Sequence, residues 1–174
     1  MDRIKLVLIN ESYEASIMDY KKEFEINNDS LDGTASLGNY DDFQSWYDKV
    51  KANSKEETVR EGCVPATTYL AVRKSDKRLI GMIDIRHRLN DYLFQYGGNI
   101  GYSIRKSERR KGYATEMLRL ALEECKRMNM DKVLVTCDKS NEGSAKTIKK
   151  NGGRLENEVL EDGELVQRYW ITIK

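Results

Sequence analysis

The 174-residue chain sets 30 lysines and arginines against 29 aspartates and glutamates, a net charge of +1, and 34% of its residues are charged. That balance gives no bulk attraction to nucleic acid, and no apolar run is long enough for a membrane span. The length predicts one domain over residues 1–174 with a single core. Ile4 to Ile9 reads as a strand; it is too short for a signal peptide, and Glu11 follows it directly. Residues 11–27 read as a helix with Tyr13, Ile17, Tyr20 and Phe24 along one side and Asn10 or Ser12 as its cap. Residues 28–39 are rich in Asn, Asp, Ser and Gly and read as a loop. Residues 40–52 look helical, with Phe43, Trp46, Tyr47 and Val50 at i, i+3, i+4 and i+7.

Ala66 to Arg73 and Arg78 to Arg88 read as two strands of an antiparallel hairpin turning at residues 74–77. Residues 89–97 read as a loop through which Tyr92, Phe94 and Tyr96 alternate. The centre of the chain is residues 98–137. A strand alternates Ile100, Tyr102 and Ile104 against Gly101, Ser103 and Arg105. The basic loop Arg109-Arg110-Lys111-Gly112-Tyr113-Ala114 follows. An amphipathic helix then runs to about Met130, and a β-branched strand covers 132–137. Strand, tight loop, helix and strand predict a βαβ unit with parallel strands. A second helix over about 141–151 ends at Gly152-Gly153, and two strands, 154–160 and 164–173, close the chain around a turn at 161–163.

The loop at 109–114 carries the chemistry. Gly112 permits a turn that other residues resist, and the small Ala114 leaves the helix start open. Amides unpaired at a helix N-terminus, with the positive end of the helix dipole, bind phosphate, and Arg109, Arg110 and Lys111 add three cations. The implied ligand is a diphosphate or larger. Spacing excludes a P-loop, which needs G-x-x-x-x-G-K-[ST], and the dinucleotide fingerprint G-x-G-x-x-G, since this loop has one glycine.

Arg109, Gly112 and Ala114 fill the three specified positions of [QR]-x-x-G-x-[GA], which resembles the acetyl-coenzyme A signature of the GNAT acetyltransferase superfamily. The element order β-α-α-β-β-β-α-β-α-β-β resembles that family along the whole chain. The runs IDIRHRLND, GGNIGYSIR and TCDKSNEGS are similar to a bacterial group within it. The resemblance implies an α/β fold, a twisted mixed sheet of about seven strands with about four helices on its two faces. It implies a cytoplasmic N-acetyltransferase, in keeping with a sparse, odd set of cysteines, Cys63, Cys125 and Cys137.

The resemblance further implies that acetyl-coenzyme A binds at Arg109, Arg110, Lys111, Gly112, Tyr113 and Ala114 and along Tyr102, Ser103 and Ile104. Asn141 and Ser144 match N-x-x-[AS] at the next helix start; Asn141 is a pantetheine ligand, a plain N-cap, or both. The tyrosine that many relatives carry seven residues later is absent, since Ile148 stands there. His87, the only histidine, is either the general base or a core residue, because it shares a face with Ile83 and Ile85. Asp84 shares the other face with Arg86 and Arg88 and reads as an ion pair before a base; Tyr102 and Glu61 are weaker candidates. No metal is expected.

Residues 1–62 hold 14 acidic and 8 basic residues, net −6; residues 63–174 hold 15 and 22, net +7. An acidic half suits a small cationic amine as acceptor; a protein or peptide amine is the alternative, and two unequally charged solvated faces are the bland explanation. The rival from another class is a module that binds acyl-coenzyme A without turnover. The sequence leaves a homodimer open.

Overall fold

A computed structural model describes residues 1–173. Seven strands form one sheet in the order β1-β2-β3-β4-β5-β7-β6. The strands are β1 (Ile4–Leu8), β2 (Ala66–Arg73), β3 (Leu79–Arg86), β4 (Ile100–Ile104), β5 (Lys132–Asp138), β6 (Arg154–Glu161) and β7 (Glu164–Thr172). All neighbours are antiparallel except β4 and β5, the parallel pair expected of the βαβ unit. The four helices are α1 (Glu14–Ile26), α2 (Phe43–Ala52), α3 (Tyr113–Arg127) and α4 (Glu142–Lys150).

The core is two layers, one on each face of the sheet. Ile17, Tyr20 and Phe24 of α1 and Phe43, Trp46 and Val50 of α2 pack on Leu70, Val72 and Met82. Met117, Leu118, Ala121 and Cys125 of α3 and Ala145 and Ile148 of α4 pack on Ile83, Ile85, Ile100, Val133 and Val135. Strands covered on both sides bury residues without alternation, as β2 does from Thr68 to Val72 and β3 from Leu79 to Ile85. Strand β6 lies at the edge and is mostly exposed.

Several boundaries differ from the sequence reading for local reasons. Helix α2 begins at Phe43 and not at residue 40, because the Asp42 carboxylate caps it by accepting the Ser45 N–H at 2.8 Å. Strand β3 ends at Arg86: the His87 N–H still reaches the Pro65 carbonyl at 2.8 Å, but Pro65 has no N–H to return the bond. The stretch read as a loop at 89–97 contains a π-helical turn, Leu93–Gly97, whose entry Asn90 caps at the Leu93 N–H (2.9 Å). Tyr92 and Tyr96, four residues apart, therefore meet with ring centroids at 5.5 Å. Helix α3 stops at Arg127 because Asn129 turns left-handed at φ 60° and the Met130 N–H closes on Cys125 O.

The charge asymmetry has a structural reading. Asp19 and Glu23 pair with Arg105, Asp29 with Arg109, Glu56 with Arg88, and Asp2 with Arg119. Five of the 14 acids of residues 1–62 are thus paired with cations of the basic remainder.

Candidate active site

Strands β4 and β5 share a single registered pair among the described residues, Ile100 with Val135. Asn99 fastens that end: its N–H donates to Leu134 O at 2.7 Å, and its side-chain oxygen accepts the Leu134 N–H at 2.9 Å. Beyond Ile100 the strands part. The Arg86 N–H donates to Asn99 O and the Arg105 N–H to Ile80 O, so the odd-numbered peptide groups of β4 face β3. The peptide groups of Tyr102 and Ile104 therefore face the opening. Ser103 does not; its hydroxyl lies 2.8 Å from that of Tyr20 on α1.

The opening leads to the basic loop. Gly112 takes φ +85°, a left-handed value, and is the N-cap of α3. The first amides of α3 have no helical partner and point out of the helix end. Only part of the expected cationic cluster is free. Arg109 turns back: its Nε donates to Ile104 O at 2.8 Å and its Nη2 pairs with Asp29 at 3.1 Å. Lys111 pairs with Glu108 at 2.9 Å. Arg110, exposed and itself left-handed at φ +65°, has no ion-pair partner among the described residues. The Tyr113 ring is buried under Arg3, whose guanidinium lies 4.2 Å from the ring centroid, so Tyr113 and Ala114 can offer backbone to a ligand at the helix end. Arg3, which no sequence signal marked, also donates from Nη1 to Lys111 O at 3.0 Å.

Across the opening, the Tyr102 hydroxyl meets Ser144 Oγ at 2.6 Å. Asn141 caps α4 by accepting the Ser144 N–H at 3.1 Å. Burial pushes the Tyr102 hydroxyl up to about 12, against the lowering effect of its Ser144 hydrogen bond, so it stays protonated at neutral pH. Burial likewise pushes the Cys137 thiol up to about 11, with Ser144 again acting against it. Ile148 is fully buried in the core, so this position of α4 faces away from solvent.

On the opposite face, Gly33 of the α1–α2 connection touches β4. A Cβ built on it would lie 2.5 Å from Gly101 C and Tyr102 Cα. A Cβ on Gly101 would lie 3.0 Å from Arg86 Nη2. Arg86 in turn holds Asp84 (3.0 Å) and donates to Gly97 O and Gly98 O. Asp84 is the expected ion pair, and its other oxygen accepts from Thr68 at 2.8 Å. The contact between the α1–α2 connection and the β4 backbone joins residues about 70 apart, and only the D-G pair at a turn hinted at it.

His87 lies past the fastened end of the opening, next to Arg86, with Nε2 2.8 Å from Thr67 Oγ1. The structure does not bring it to Tyr102. Burial lowers its pKa, with Asp84 and Glu56 acting against that. Since the folded protein resists the charged form, stability is full above the ordinary histidine range and declines as pH falls through that range. His87→Ala should flatten this acid-side loss in thermal melts and leave the pH profile of kcat/KM unchanged. An inflection between pH 6 and 7 that the substitution removes would make His87 a base instead.

The model of the acetyltransferase (GNAT) domain family matches residues 17–154. The chain belongs to the GNAT acetyltransferase family. It is an acyltransferase, and its seven-stranded sheet with helices on both faces is the GNAT fold. A ribosomal-protein-S5-alanine acetyltransferase from Vibrio fischeri superposes with a TM-score of 0.71 at 17% identity, covering 100% of this chain and 95% of that one. The ribosomal L7/L12 α-N-protein acetyltransferase RimL in complex with coenzyme A gives 0.70 at 16%, with 99% and 96% covered. The Vibrio cholerae spermidine N-acetyltransferase in complex with coenzyme A and spermine gives 0.67 at 14%, with 98% and 96% covered. At these identities the GNAT neighbours speak for the fold alone. A search of curated proteins returned no match. No helix among the described residues is long and apolar enough to cross a membrane.

Proposed function

We propose that this GNAT protein moves an acetyl group from acetyl-coenzyme A to a primary amine by direct attack in a ternary complex. The observation that carries the reading is the opening between β4 and β5, which runs from Tyr102 and Ser144 to the helix end at Gly112. The fit has two parts: strand-like peptide groups at Tyr102 and Ile104 suit a pantetheine arm, and unpaired amides with the free Arg110 suit its phosphates. Acetyl-coenzyme A supplies a thioester carbon that the amine can attack.

In the step itself the amine nitrogen forms a bond to the acetyl carbon and the carbon–sulfur bond breaks, its electron pair staying on sulfur. The Ile104 N–H, facing the opening, is placed to donate to the carbonyl oxygen as it gains charge. The Tyr102–Ser144 hydroxyl pair stabilises the thiolate as a hydrogen-bond donor. A tyrosine near 12 does not transfer its proton to a thiolate of ordinary pKa about 8.5, so the thiolate takes a proton from water. The amine loses its own proton to water, and the rate should rise with pH. On this reading the missing tyrosine, the only support for a module without turnover, is not needed.

The acceptor we assign is a small cationic amine. With five of the nine acids from Glu14 to Asp48 in ion pairs, the support is narrower than the charge count suggested; Asp32, beside Gly33, is exposed and in no ion pair among the described residues. Arg86, beside Gly101, favours a second reading, a peptide α-amine whose first carbonyl it would hold. Thiol release with spermidine, propylamine and a free-amino peptide tests both. Spermidine should give the highest kcat/KM, falling as salt rises; equal rates on spermidine and an acidic peptide would remove the cationic assignment. Ser144→Ala with Tyr102→Phe should lower kcat about tenfold or more with little change in KM.

A further inference from the structure

We infer that Glu108 is the positioning residue of the phosphate loop, the buried anion around which the loop's backbone is set. The inference rests on the cofactor reading above and goes beyond it, because Glu108 touches no ligand there. Its side chain is 7% exposed, yet it stands in the most basic run of the chain, Lys106 to Lys111. Three cations converge on it. Arg73 Nη1 from β2 and Lys111 Nζ from the loop each lie 2.9 Å from Oε2, and Arg78 Nε from the β2–β3 hairpin lies 3.3 Å from Oε1. One of these belongs to the sheet, one to the hairpin connection and one to the loop, so the carboxylate ties the loop to the framework.

The residues on either side are fastened in other ways. The Ser107 N–H and hydroxyl donate to Glu23 at 3.0 Å, and Arg109 is turned onto Ile104 O and Asp29. Between these anchors Arg110 is held left-handed at φ +65°, a conformation that a residue with a Cβ does not choose unaided. Burial opposes the charge on Glu108, but Lys111 and Arg73 outweigh it and hold the carboxyl below its ordinary range. It is therefore ionised wherever the enzyme works. Removing that charge leaves Lys111 without its carboxylate and Arg73 and Arg78 with only Asp76 and Glu23, so nothing draws the loop lysine to the two arginines and the loop lifts off the sheet. The amides at the helix end then lose their aim, while the pantetheine groups at Tyr102 and Ile104, on a strand, keep theirs.

The experiment compares acetyl-coenzyme A, which carries the phosphates, with acetyl-pantetheine, which carries none. Wild type should prefer the former in kcat/KM. Glu108→Gln should reduce that preference by about tenfold or more through KM, leaving the value for acetyl-pantetheine unchanged. Glu108→Asp should recover part of it. If Glu108→Gln does not fold, Arg73→Met, which removes the contact from the sheet side, should show a smaller loss of the same kind. A preference that survives in the folded variants, or an equal fall on both substrates, overturns the inference. A wild type that does not distinguish the two substrates overturns the phosphate-loop reading itself, and the inference with it.

Discussion

Gly112→Val should abolish the binding of coenzyme A measured by calorimetry, a loss of about a hundredfold or more. The residue sits at φ +85° at the N-cap of α3. A β-branched residue in that region is a genuine outlier, and the left-handed conformation costs a side-chain-bearing residue about 1–2 kcal/mol. The chain relieves the strain by rotating the peptide, which turns away the amides that the phosphates would meet. A Cβ there would also lie 3.4 Å from Arg3 Nη2, at the contact by which Arg3 holds the loop. Gly112 is exposed, so the fold should survive with its melting temperature little changed. Retained affinity in a folded Gly112→Val protein would show that the loop is not where coenzyme A binds. Arg109→Ala, a side chain spent on Ile104 O and Asp29, should weaken binding less, and the loss should shrink in high salt.

Gly33→Val should cost stability as well as activity. Gly33 has φ +68°, and its Cβ would lie 2.5 Å from the β4 backbone at Gly101 and Tyr102. Backbone in the middle of a sheet cannot yield as a side-chain end can, so the α1–α2 connection has to lift. The left-handed strain and the overpacking together come to about 2–5 kcal/mol. Lifting the connection also draws Thr34 away from Trp46, whose indole N–H donates to Thr34 O at 2.8 Å in the core of that face. The denaturation midpoint should fall clearly below wild type, and acetyl transfer should fall even where the protein is still folded. A midpoint equal to that of wild type would mean that the connection does not rest on β4 in solution.

These two glycines mark the border between what could be read and what could not. Gly112 was legible because its neighbours are local: a strand before it, an amphipathic helix after it, and cations beside it. Gly33 was not, because the backbone it approaches is about 70 residues away. The same division runs through the charges. The acids of residues 1–62 looked like a field for a cationic acceptor, whereas Asp19, Glu23, Asp29 and Glu56 are partners of Arg105, Arg109 and Arg88. A count of charge has sign but no position.

The Tyr102–Ser144 contact teaches the same lesson from the chemical side. Ser144 was marked by its spacing from Asn141 and Tyr102 by its strand, but nothing in either pattern says that the two hydroxyls lie 2.6 Å apart. That distance arises because β4 and β5 separate after Ile100 while α4 begins just past the end of β5.

The amino-acid sequence by itself determined the element order, the parallel central pair, the glycine turn into α3 and the apolar faces of α1 to α3, because periodicity, caps and glycine turns act within a few residues. Only the tertiary structure decided where β4 and β5 part, which loop cations remain free, that Arg73, Arg78 and Lys111 gather around Glu108, and that His87 stands apart from Tyr102. Each of these depends on groups distant in the chain meeting at hydrogen-bond range, and such meetings are set by the register and packing of the whole sheet.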